Sequence, residues 1–256
     1  MKDYMKDFDA AKIKDELVAW IRKWFEENGR DCNAVIGISG GKDSTIAAAL
    51  CVEALGKDRV VGVMLPNGEQ EDIEDSYEVC RFLGINSYEI NIEKMFNFMI
   101  EELSCNQFDI TDQAIINSPA RCRMVMLRGV AQCCNGRTIN TCNLSENWVG
   151  YFTVDGDGSG DCRPLEQLTV QEVVEIGKVL GLESRLVEKV PIDGLCEMTD
   201  EENLGFGYDV LDRYIRTGIC EDEAIKALID QKHRNNKFKV RTPECYEYAG
   251  PILAAD

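Results

Sequence analysis

One ten-residue stretch, Ile36-Gly37-Ile38-Ser39-Gly40-Gly41-Lys42-Asp43-Ser44-Thr45, constrains this chain more than any other. Ala34 to Ile38 is a short apolar, partly β-branched run of the kind that forms a buried parallel strand. Thr45 to Leu55 is Ala-rich and reads as a helix. The stretch is therefore a strand-to-helix turn. Its glycines let the backbone turn tightly and approach a ligand closely, while the following helix directs unpaired N–H groups and a positive dipole end at the same spot. Such a turn cradles an anion, and a phosphate fits it.

The spacing decides which phosphate. A Walker loop needs Gly-x-x-x-x-Gly-Lys-Ser/Thr and a dinucleotide fingerprint needs Gly-x-Gly-x-x-Gly, and neither is present here. Instead Ser39 and Ser44 supply hydroxyls, and Asp43 supplies a carboxylate that would repel phosphate unless a cation lay between them. Mg²⁺ binds one or two carboxylates together with substrate phosphates, so Asp43 reads as a magnesium ligand. A turn that merely caps a helix is disfavoured by this spacing and context. The pattern resembles the pyrophosphate-binding loop of the ATP pyrophosphatases, which cleave ATP to AMP and pyrophosphate.

The 256 residues suffice for a full core without covalent staples. The twelve cysteines are scattered and form no Cys-x-x-Cys pair, so they are expected to be reduced thiols. Neither a signal peptide nor a membrane span is evident, which predicts a soluble cytoplasmic protein with no membrane partner. A formal charge of −18 argues against a nucleic-acid partner. One region opposes that charge: Lys232, His233, Arg234, Lys237, Lys239 and Arg241 cluster near the C-terminus, either as a solvated helix end or as a clamp for substrate phosphates.

Along the chain, Asp9 caps a helix whose Ile13, Leu17, Trp20, Ile21, Trp24 and Phe25 recur at helical spacing, a stripe expected to pack on the core, with a subunit interface as the alternative. A second strand spans 59–65, an acidic helix 71–83 and a short strand 87–90. Further helices span 92–103 and 113–134. Strand and helix alternate, which predicts a doubly wound, mostly parallel α/β sheet, Rossmann-like, with helices on both faces and ligands at the carboxyl ends of its strands. Arg121 and Arg123 in the last helix are two apart, so they do not share a face. The run 150–161, rich in glycine and aspartate, lacks the terminal Glu of a calcium loop and is expected to be a flexible substrate loop. Capping boxes at Thr169/Glu172 and Thr199/Glu202 open later helices. The whole of 1–256 reads as one domain, its part from about 199 to 245 helical.

The second half narrows the resemblance to the ammonia-dependent NAD synthetases. Besides the Ser-Gly-Gly-Lys-Asp-Ser loop, the matching segments are Asn117 to Met124, Asn140 to Glu146, Gly150 to Thr153, Gly156 to Asp161 and Thr199 to Gly205. The resemblance implies ATP-dependent amidation of deamido-NAD with ammonia, giving NAD, AMP and pyrophosphate through an acyl adenylate. It implies an ATP site made of Gly37, Ile38, Ser39, Gly40, Gly41, Lys42, Asp43 and Ser44 with Thr141, and Mg²⁺ held by Asp43 and Glu146. Deamido-NAD would be held by Arg121, Asp161, Phe238 and Lys239, adenine would lie against the second strand, and the protein would be a homodimer. Phe238 stands where the family usually has histidine. Val154 and Val170 stand where many members have lysines that touch the dinucleotide and ATP, and Ile192 where a threonine contacts ATP. Lys42, Arg163 and Lys189 are candidates to replace the missing charge. The synthetase pattern consumes the chain and His233 is its one histidine, so free ammonia is the expected donor. Two other readings stay open. One is a different ATP pyrophosphatase, such as an RNA-modifying enzyme; the other is a nucleotide sensor without turnover, suggested by Val154, Val170, Ile192 and Phe238.

Overall fold

The computed structural model describes residues 3–187, 200–241 and 246, so Lys189, Ile192 and the Thr199 end of the second capping box lie outside the described residues. Its strands are β1 (Asn33–Gly37), β2 (Val60–Met64), β3 (Asn86–Glu89) and β4 (Gly136–Ile139). Its helices are α1 (Ala10–Asn28), α2 (Lys42–Leu55), α3 (Ile73–Leu83), α4 (Glu93–Cys105), α5 (Asp112–Cys133) and α6 (Leu144–Val149). They continue as α7 (Val170–Val179), α8 (Ser184–Val187), α9 (Asp200–Leu204), α10 (Tyr208–Thr217) and α11 (Glu223–Asn236).

The strands form one parallel sheet in the order β3-β2-β1-β4, with Val35 of β1 opposite Val61 of β2 and Thr138 of β4. Side chains alternate across a strand, and β1 uses both faces. Ala34 and Ile36 join Val18, Ile21 and Phe25 of α1 and the alanines of α2 in the larger core. Val35 joins Cys122, Leu127 and Ala131 of α5 in a second core on the opposite side. A strand buried on both faces has no reason to alternate polar with apolar residues, which accounts for the continuous apolar reading of Ala34 to Ile38.

The chain steps outward from β1 to β2 and β3, then returns to place β4 on the other side of β1. Strand order therefore reverses between β1 and β4, and a crevice opens at their carboxyl ends, where ligands bind in open α/β sheets. The expected doubly wound fold is the one observed. The α1 stripe packs on the core, as expected, although Trp20 lies outside it at 43 % exposure. Asp9 caps α1 through Lys12 N at 3.0 Å.

A third apolar cluster joins α6, α10 and α11 through Val149, Leu211 and Ile229. Asp212 of α10 fastens this layer to the rest. Fully buried, it accepts from Ser145 Oγ at 2.5 Å and from Gln171 N at 2.9 Å, and so answers the unpaired amides at the start of α7. Glu172 Oε2 accepts from Thr169 N there at 2.8 Å, the Glu172 half of the expected capping box.

Candidate active site

The turn between β1 and α2 is held by its own hydroxyls. Ser39 Oγ lies 3.2 Å from Ser44 Oγ, Gly41 N donates to Ser39 Oγ at 3.2 Å, and the Ser44 and Thr45 hydroxyls donate to Gly41 O at 3.1 and 2.8 Å. Gly40 has φ +75°, and a Cβ there would lie 2.9 Å from Asp75 Cβ and 3.2 Å from Ser76 N at the start of α3. Both the left-handed backbone and the packing require glycine. Gly40→Ala is accordingly expected to lower stability by about 2 kcal/mol, read as a fall of several degrees in Tm together with weaker ATP binding.

Asn143 unites the two acidic residues. This buried N-cap of α6 donates its Nδ2 to Asp43 Oδ1 at 3.2 Å, while its backbone N donates to Glu146 Oε2 at 3.0 Å in a capping box. Carboxylates a hundred positions apart thus converge on one residue, Asn143, beside the cradle. Among the described residues no cluster of three or more His, Cys, Asp or Glu could hold a metal alone. Two carboxylates next to a phosphate cradle nonetheless suit Mg²⁺, which completes its shell with phosphate oxygens and water. Lys42, nearly buried, sets its Nζ 3.0 Å from Asp43 Oδ2 and 5.9 Å from the centre of the Tyr208 ring.

A cleft of about 690 Å³ opens over these groups, a size that suits a small-molecule ligand. Gly37, Ile38, Ser39, Gly41, Lys42, Asp43 and Ser44 line it, as do Thr141, Glu146 and Lys239. Gly40 is buried behind the turn. The remaining residues assigned to the second substrate lie elsewhere. Arg121 is exposed and donates from Nε to Val154 O at 3.2 Å. Asp161 accepts from Thr138 N and Oγ1 at 2.8 and 2.9 Å and pairs with Arg128 at 2.5 Å. Burial raises the Asp161 carboxyl, but the Arg128 and Thr138 contacts outweigh it and hold it below the usual range. Phe238 is 69 % exposed.

Of the altered positions, Val170 is buried in the third apolar cluster. Arg163 pairs with Glu166 at 3.0 Å and donates to Gly158 O at 3.1 Å, outside the cleft lining. Of the candidate replacement cations among the described residues, Lys42 alone lines the cleft. The basic cluster is divided. Lys239 Nζ donates to Gly150 O at 2.8 Å and Phe152 O at 3.2 Å, and His233 stacks on Trp148 with ring centres 4.2 Å apart. Arg234, Lys237 and Arg241 face solvent.

Reading the sequence missed Asp157, Arg123 and Asn117, all of which line the cleft. The run 150–161 is tied down. Buried Asn140 donates Nδ2 to Asp157 O at 2.7 Å and Ser159 O at 3.0 Å, and Thr153 N donates to Asp157 Oδ1 at 3.0 Å. Asp157 is an exposed residue at the cleft whose carboxylate is drawn in against Thr153 N. Desolvation there raises its carboxyl above the ordinary range, against the Thr153 hydrogen bonds and the Lys239 charge. Lys239 is lowered, by desolvation first, with Asp157 opposing the shift. Cys142 is an inert buried thiol: burial, then the Glu146 and Asp157 charges, push it well up. All ten described cysteines are free.

The sequence model of the NAD synthase family matches residues 13–246. The NH(3)-dependent NAD(+) synthetase of Pyrococcus horikoshii is 38% identical over 229 residues, which is 88% of this chain and 86% of that protein. Among solved structures, the NMN synthetase of Francisella tularensis superposes with a TM-score of 0.86 at 31% identity, covering 94% of this chain and all of the other. The NH3-dependent NAD synthetase of Campylobacter jejuni, in complex with nitrate, gives a TM-score of 0.76 at 26% identity over 94% of this chain and all of that one. A phosphate cradle and an acidic pair in the crevice at the switch point, on a chain matched almost end to end, place this protein in the NAD synthase family.

Proposed function

We propose that this protein amidates the nicotinate carboxylate of deamido-NAD with ammonia, consuming ATP and releasing NAD, AMP and pyrophosphate. The observation that carries the reading is the junction at Asn143, which holds Asp43 and Glu146 together beside the Ser39–Ser44 cradle. A carboxylate resists ammonia because it is anionic and its oxygen leaves poorly. Attack of a carboxylate oxygen on the α-phosphorus of ATP forms the acyl–phosphate bond and breaks the α–β phosphate bond, sending pyrophosphate into the cradle. Ammonia then forms the C–N bond, AMP departs with the shared oxygen, and one proton is released. Ser39, Ser44 and the α2 amides hold the leaving pyrophosphate, and Lys42 sets a positive charge beside it. Mg²⁺, held by Asp43 and Glu146, would neutralise phosphate charge there.

Incubation with ATP, Mg²⁺, ammonium and deamido-NAD tests the reading. NAD and AMP in equal amounts are expected. Nucleotide binding with no AMP would leave a sensor, and AMP without NAD would point to a different ATP pyrophosphatase. A second acid substrate belongs in the same assay, because the superposition on the Francisella tularensis NMN synthetase is closer than that on the Campylobacter jejuni enzyme. Under this second reading, nicotinate mononucleotide is amidated to NMN, with the greater kcat/KM for the mononucleotide.

The protein acts in the cytoplasm as a homodimer under this proposal. Among the described residues no helix is long and apolar enough to cross a membrane. None of the α4 side chains is buried, and Phe98 of α4 with Ile115 and Val125 of α5 are exposed apolar side chains that a second copy could cover. Light scattering is expected to give twice the 28.8 kDa chain mass; a mass of one chain would remove this assignment.

A further inference from the structure

We infer that Arg123 grips a phosphate group of one of the two nucleotide substrates; this inference rests on the amidation proposed above. The placement follows from helix geometry. Gln113, Ile116, Asn117, Ala120, Arg123 and Leu127 recur three and four residues apart on α5, and all of them line the cleft. Arg121, one residue beyond Ala120, is turned about 100° from that stripe and reaches the Val154 carbonyl on the surface instead. The cleft therefore takes its α5 arginine from position 123.

The Arg123 side chain is half-buried, and its Nε donates to Leu65 O at 2.9 Å. Leu65 directly follows β2, so this bond fixes the guanidinium plane at the carboxyl edge of the sheet. A guanidinium fixed in this way matches two oxygens of a phosphate, and burial strengthens the contact by excluding water. Two other cations line the cleft among the described residues. Lys42 lies against Asp43, and Lys239 donates to the Gly150 and Phe152 carbonyls. Two nucleotides bring several negative phosphates to a chain of formal charge −18, and Arg123 sets a positive charge in the lining of the cleft that would receive them.

The competing account is that Arg123 only braces the turn after β2. Arg123→Lys keeps a cation able to reach Leu65 O but loses the planar fork; Arg123→Met loses both. Steady-state kinetics with each substrate varied in turn is expected to show KM for one of them raised roughly 10- to 100-fold in both variants, with the other KM and the Tm little changed. A rise for ATP assigns the ATP polyphosphate, and a rise for the nicotinate nucleotide assigns that substrate's phosphate. Both KM values within about two-fold of wild type, or losses that follow Tm in Arg123→Met and are restored in Arg123→Lys, overturn the inference. Calorimetric titration of wild type and both variants with α,β-methylene-ATP and with each nicotinate nucleotide reads the same contact without turnover. Failure of the amidation proposal would appear separately, as wild-type protein that binds these ligands and makes no amide.

Discussion

Replacing Asp43 with Asn is expected to lower amide formation by about a thousand-fold, roughly 4 kcal/mol of transition-state stabilisation, while far-UV circular dichroism stays unchanged. The carboxylate stands in the first turn of α2, touched by Lys42 and by Asn143. Asn preserves its shape and can still accept from Asn143, so α6 and the cradle keep their arrangement. What is lost is one negative charge beside the phosphates, where Mg²⁺ would be held. Loss of the Lys42 partner adds a stability cost of about 1 kcal/mol or more, which a thermal melt separates from the catalytic loss. Binding of Mn²⁺ with ATP, followed by electron paramagnetic resonance, supplies a readout free of turnover and is expected to weaken in the variant. Activity within ten-fold of wild type, with unchanged Mn²⁺ binding, would remove Asp43 from the metal assignment.

The contrast between Asp43 and Asn143 explains what could be read without coordinates. Asp43 belongs to a local pattern, since strand, glycine turn and helix N-terminus all fall within ten residues and each has a backbone reason to be there. The parallel sheet was legible in the same way, because continuous apolar runs such as Ala34 to Ile38 report burial on both faces. Asn143, a hundred residues from Asp43, has no such signature: its importance lies in joining two carboxylates that meet only after β4 pairs with β1. Arg123 was passed over because a helical face has no meaning until the wall it faces is known. The run 150–161 reads as loose by composition, and it is fixed by Asn140, which lies outside it. Family resemblance assigned Arg121 and Asp161 to the second substrate, and both sit outside the cleft lining in the single chain. Those assignments stay proposals, tied to the homodimer proposed above.

Asp157→Asn is expected to separate the two half-reactions, leaving ATP–pyrophosphate exchange in the presence of the nicotinate nucleotide within a few-fold of wild type while amide formation falls roughly 10²- to 10⁴-fold. Ammonia attacking the acyl adenylate acquires positive charge on nitrogen as the C–N bond forms, and a proton must leave before AMP departs cleanly. The acceptor has to line the cleft, be unprotonated at working pH, and bind a proton more readily than an ordinary carboxylate. Asp157 lines the cleft, and desolvation raises its carboxyl, against the Thr153 hydrogen bonds and the Lys239 charge, in the direction of a readier proton acceptor. The neutral amide can still accept from Thr153 N, so the turn from Thr153 to Asp157 survives the substitution. A purely structural role would disturb the Phe152 to Ser159 wall for both steps alike, and exchange and amidation would then fall together. That outcome would strike Asp157 from the chemistry, whereas intact exchange with a raised KM for ammonia would locate the nitrogen nucleophile beside it.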